Sequence, residues 1–170
     1  MAAGPTYEPI ATTTLGSDQN DIEFSTIPGT YTDLVIVFTG NSTTTGSATN
    51  GMRCRLNSDT GSNYSATTLS GNGSSATSAR YSSSTFFEGE IGQTSNTSPS
   101  INIFQIMNYS NTTTFKTILI RTSIPNNTVQ AHVVLYRSTS AITSVTLSRD
   151  FGTNQLKSGS TATLYGIAAA

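Results

Sequence analysis

Catalysis at a protein surface needs a nucleophile beside a base, two acids facing each other, or a metal, and this chain is poor in the groups that supply them. It carries one histidine, eight Lys and Arg, and nine Asp and Glu. The histidine, His132, sits in a run with Val129, Ala131, Val133 and Leu135, and strand alternation puts it on the opposite face from that apolar set. No second histidine exists to complete a triad or a zinc site, and there is no G-x-S-x-G elbow. Glu88 and Glu90 share one strand face. A glycosidase needs two carboxyls about 5–9.5 Å apart across a cleft. Two on one face meet the distance without the facing geometry, so a solvent face, or a charge partner for Arg53 or Arg55, is the expected role. The chain is therefore expected not to be an enzyme, with no catalytic residue, cofactor or metal.

Weaker signals remain. Asn57-x-Asp59-x-Gly61-x-Asn63 alternates oxygen ligands as a calcium loop does, but it lacks the acidic density and the terminal bidentate Glu, and the same residues build ordinary turns. Cys54 alternates with Met52 and Leu56 and reads as a small core residue. A single cysteine forms no internal disulfide, which suits a reducing compartment. Arg53 and Arg55, on the opposite face, form the one local basic pair. Tyr31, Tyr64, Tyr81, Tyr109, Tyr136 and Tyr165 fall near strand ends or loops, where Tyr serves an interface or caps a sandwich core. The interaction candidates are Arg53, Arg55, Tyr64, Arg80 and Tyr81.

The elements that must position these residues are short strands. Apolar runs bounded by turn residues occur at 21–27, 34–38, 52–56, 86–91, 101–107, 115–120, 129–136, 142–147 and 161–167, with a weaker strand at 64–69. Residues 7–15 read as an extended arm or a first strand. The run 34–38, apolar throughout, suits a central strand covered on both faces. Residues 40–50, 70–84 and 92–100 read as Ser/Thr/Gly-rich loops. No window has a capped helical period. About nine to eleven short strands with turn signals between them predict an all-β fold: a two-sheet antiparallel sandwich of jelly-roll type. The expected division is an N-terminal arm at 1–20 and a β-sandwich domain at 21–170.

Composition sharpens this. The chain has 170 residues, a net charge of -1 and only 10% charged residues, while Ser and Thr make up about a third. Thr is β-branched and suits the outer positions of a pleated sheet. Eight dispersed basic residues offer no stripe for phosphates, so no nucleic-acid partner is expected. No apolar run approaches the roughly 18 residues of a membrane span, and Met1 to Pro5 do not open a signal peptide.

Several stretches together resemble a known group. They are Asp21 to Pro28, Tyr31 to Val37, Arg53 to Ser65, Leu69 to Ser74, Ile142 to Leu147 and Ala162 to Ile167. In these the chain resembles small β-sandwich virion proteins of tailed bacteriophages, over about residues 6–167. The resemblance implies a capsid decoration (cement) protein, a head fibre or a tail receptor-binding module, usually trimeric, and carries no active-site residues. A short arm before the first strands, without a shaft, favours decoration. The expectation is thus a homotrimer made in the host cytoplasm that sits on the capsid surface, with the major capsid protein as its partner. The alternative is a tail fibre or receptor-binding module whose loops at 40–50, 70–84 and 92–100 meet the host.

Overall fold

A computed structural model describes residues 6–43, 49–87, 94–95, 98–125, 127–149 and 154–168. Its strands are β1 (Tyr7–Thr14), β2 (Asp21–Phe24), β3 (Asp33–Gly40), β4 (Thr49–Asn50), β5 (Met52–Leu56), β6 (Tyr64–Gly71), β7 (Ala76–Ser84), β8 (Thr94–Ser95), β9 (Ser100–Ile106), β10 (Lys116–Ile124), β11 (Thr128–Tyr136), β12 (Val145–Arg149) and β13 (Thr161–Ile167). An eight-stranded sheet runs in the order β1-β13-β3-β9-β10-β11-β6-β7, and a three-stranded sheet in the order β2-β12-β5. A two-stranded ribbon joins β4 to β8.

The pairing is nested and antiparallel. β1 bonds β13, β2 bonds β12, and β3 bonds β9. A chain that pairs its first strand with its last, and works inward, is one long hairpin wrapped round a core, which is the jelly-roll path. The all-β sandwich expected from the apolar runs is therefore the observed fold. β10, β11, β6 and β7 then extend the larger sheet beyond β9.

The core is built by alternation. Leu34, Ile36 and Phe38 of β3, Phe104 and Ile106 of β9, and Ile118 and Ile120 of β10 turn inward. They join one buried cluster with Ile22, Phe24, Met52, Cys54, Leu56, Val145 and Leu147 of the small sheet. β3 lies between β13 and β9, as its unbroken apolar run requires, and Val35 on its outer side is also buried. Cys54 is a buried core residue, and burial pushes its thiol pKa up. Gly166 of β13 is needed for close approach: a Cβ there would fall inside the ring of Tyr31. Tyr31 donates its N–H to Tyr109 Oη at 3.3 Å and its hydroxyl to Glu8 at 3.1 Å, and Tyr109 donates to the Pro28 carbonyl.

Three expectations need revision or completion. Of the two readings for residues 7–15, the structure has the strand: β1 is hydrogen-bonded along β13. Residues 70–84 are not a loop; they are the end of β6, a tight turn and β7. Asn72 Oδ1 accepts the N–H groups of Ser74 and Ser75 at 3.0 and 2.9 Å, and Gly73 takes φ +86°, which closes the hairpin. Phe86 and Phe87 lie outside any strand, and residues 88–91 of that expected strand are outside the described residues.

Candidate binding site

The five interaction candidates do not converge. Arg53 and Arg55 of β5 flank Phe86, with their guanidinium carbons 4.1 and 5.6 Å from the ring centroid. Arg55 Nε also donates to the Thr85 carbonyl at 3.2 Å. Cation–π contact thus holds the pair against the 85–86 segment. Glu88 and Glu90 lie outside the described residues. Tyr64 is corrected: it is fully buried and cannot meet a partner. It stacks on Tyr136 at 4.9 Å and meets Phe87 edge-on at 5.3 Å. Burial, the largest influence, raises its hydroxyl pKa despite hydrogen bonds to the Leu56 backbone. Arg80 and Tyr81 are neighbours on edge strand β7, and alternation sends them to opposite faces of the large sheet.

The 57–63 turn spends its oxygens on the fold. Asp59 Oδ1 accepts Gly61 N–H at 2.7 Å, and Oδ2 accepts Asn63 Nδ2 at 2.8 Å and the Tyr136 hydroxyl at 2.9 Å. Burial would raise the Asp59 pKa, but these three bonds outweigh it and hold it below the ordinary value. Asn57 Oδ1 accepts the N–H groups of Thr143 and Ser144 at 2.8 and 3.2 Å. Among the described residues no group of three or more His, Cys, Asp or Glu could hold a metal ion.

Two other regions do stand out, and both belong to the extension of the large sheet. The first is its outer face. The alternation of β11 has the sense opposite to an apolar-inside reading: Val129, Val133 and Leu135 are exposed, while Gln130, His132, Val134 and Tyr136 are buried. Register places Leu119 beside Val133, Ala131 beside Leu69, and Ile103 beside Arg121. Leu69 is 58% exposed, Val129 62% and Val133 53%, and Ile101 joins them. Leu69, Ile101, Ile103, Val129 and Ala131 line an apolar groove of about 460 Å³ that Arg121 borders. A second groove of about 510 Å³, between Leu119, Val133 and Leu69, lies on the other side of Arg121.

The second region is on the opposite, inner face. Thr68 and Ser70 of β6, Gln130 and His132 of β11, and Thr77 and Tyr81 of β7 line a polar pocket of about 240 Å³. His132 is 3% exposed, and among the described residues neither Nδ1 nor Nε2 has a hydrogen-bond partner. Desolvation pushes its pKa down to about 4, so the ring is neutral at pH 7. Gln130 Nε2 donates to Ser70 Oγ at 3.4 Å. Sequence reading singled out Tyr81 and His132 separately and missed Thr68, Ser70 and Gln130. The available signal was the polar pair Gln130 and His132 on the same strand face as Val134 and Tyr136.

No family model and no curated protein matches the chain. Among solved structures it is similar to an alginate lyase, a double mutant of Aly36B in complex with alginate tetrasaccharide. The identity is 11% and the TM-score 0.37, over 92% of this chain and 77% of the other. The expectation that the chain is not an enzyme is withdrawn with this finding, since the similar structure is that of an enzyme. A likeness at this level carries neither substrate nor reaction across to this chain.

Proposed function

We propose that this chain is a structural protein of a bacteriophage particle, and that it decorates the capsid as a homotrimer. The resemblance over residues 6–167 supports this reading. One observation carries it: the apolar outer face formed by Leu69, Ile101, Leu119, Val129 and Val133. Monomers rarely expose contiguous apolar patches beyond a few hundred Å² unless a partner uses them. Seating that face on the major capsid protein removes apolar area from water at roughly 25 cal/mol per Å², against an association cost of about 4–15 kcal/mol. Arg121, between the two grooves, takes a carboxylate of the partner. A protein that binds only the assembled shell stabilises the shell by its binding free energy.

The test is co-sedimentation with decoration-stripped phage heads. The wild-type protein binds saturably at a fixed copy number and raises heat resistance, while Val133→Asp and Leu69→Asp stay in solution, folded. Wild-type protein that ignores heads, or variants that bind as well as wild type, would sink the reading. A receptor-binding module is the second reading, favoured by the polar pocket on the opposite face. Binding to host cells but not to heads would select it.

A further inference from the structure

A buried imidazole with neither nitrogen hydrogen-bonded is rare in a folded protein, where buried polar groups find partners. His132 is such a group, and it lies on the wall of an open pocket, beneath no described hydrogen-bonding partner. The rest of that wall is uncharged and, apart from Ala79, carries polar groups. Thr68, Ser70, Thr77 and Tyr81 bring hydroxyls, Gln130 brings an amide, and Tyr81 adds a half-buried ring. None of the described lining residues is charged at pH 7, because burial keeps His132 neutral. At about 240 Å³ the pocket is smaller than the roughly 300–1,000 Å³ of drug-sized ligand sites.

We infer that the pocket between β11, β6 and β7 binds one neutral sugar ring. Hydroxyl, amide and imidazole groups offer donors and acceptors to ring hydroxyls, and the aromatic face of Tyr81 offers a platform to the C–H face of the sugar. An acidic sugar is disfavoured, because its carboxylate would lose water without meeting a cation. The neutral His132 ring has one donor and one acceptor nitrogen, both buried and without a partner among the described residues, and a turn of the ring toward the bound sugar gives one of them a hydroxyl partner. The inference goes beyond the decoration reading and lies on the opposite face of the sheet from the apolar grooves, so each can fail alone.

The experiment is an NMR titration of the full chain with glucose, galactose, N-acetylglucosamine and glucuronate. The imidazole of His132 and the backbone of residues 68–81 report the site. Each sugar is tested free and as the end unit of an oligosaccharide, which separates a free monosaccharide from a glycan terminus as the natural source. At least one neutral sugar is expected to shift these signals saturably, with glucuronate about tenfold weaker or worse. Tyr81→Ala and Thr77→Val are each expected to weaken binding about tenfold while the remaining spectrum is unchanged. Thr77 is exposed on an edge strand, so its variant keeps the test valid if Tyr81→Ala fails to fold. No saturable shift with any neutral sugar, equal response to glucuronate, or unchanged affinity in Thr77→Val would overturn the site and leave a hydrated pocket.

Discussion

The outer face of the large sheet has two halves with opposite solutions to the same problem. On β1 and β13 the outward residues include threonines that bond one another, Thr12 to Thr163 at 3.1 Å and Thr14 to Thr161 at 2.9 Å, and Tyr7, which meets Tyr165 edge-on at 6.3 Å. The threonine end of that half is complete in water. On β9, β10, β11 and β6 the outward residues include Ile101, Leu119, Val133, Leu135 and Leu69, which stand exposed around Arg121. One sheet thus carries a finished surface and an unfinished one. The inner faces differ in the reverse sense. Under the small sheet the packing is apolar, while β9 and the extension bury Asn102, Thr122, Gln130 and His132. The extension thus carries apolar groups on its outer face and polar groups on its inner one.

The comparison is tested most severely on β10, where Ile118 faces the core and its neighbour Leu119 faces out. Ile118→Ala should cost about 2–5 kcal/mol by chemical denaturation, and Leu119→Ala within about 0.5 kcal/mol. Equal costs would mean the outer face is covered in the free protein. The next effect is titration of His132. At pH above its ordinary 6.5 both folded and unfolded rings are neutral. Between 6.5 and about 4 the unfolded chain binds the proton and the folded chain does not. Stability is therefore fully present above pH 6.5 and falls by about 3 kcal/mol as the pH approaches 4. His132→Leu should remove that part of the slope; a slope unchanged by the substitution would place the titration elsewhere. Gly166→Ala should cost about 1–3 kcal/mol by forcing Tyr31 aside, measured as a fall in Tm. Smallest is Thr163→Ala in the hydroxyl half, about 0.2–1 kcal/mol by denaturant midpoint. A larger loss there would show that the finished half depends on more than its hydroxyl pairs.

Most strands were legible in the sequence because they carry alternating or continuous apolar runs. β3, β5, β9, β10, β11 and β13 follow this rule, and β3 even shows its central place by having no polar positions from Leu34 to Phe38. β7 was not legible. Its residues Ala76 to Arg80 are exposed on both faces, so burial imposed no period, and the strand is held by its ladder to β6 and by the Asn72 turn. The sense of β11 was also hidden. Both of its faces carry large residues, and only the third dimension shows that Gln130 and His132 go inward. For the same reason the pocket was invisible: its members come from β6, β7 and β11, which are brought together by register. Tyr64 misled because a tyrosine at a strand end reads equally as an interface residue or as a core cap.

The pairing of β1 with β13 has a mechanical consequence. Tyr7 lies opposite Ile167, and Ala168 donates to the Thr6 carbonyl at 3.1 Å, so the outer ends of these two strands lie side by side. Tension applied between those ends opens the outermost ladder like a zipper, one hydrogen bond after another, and never loads the rest of the sheet.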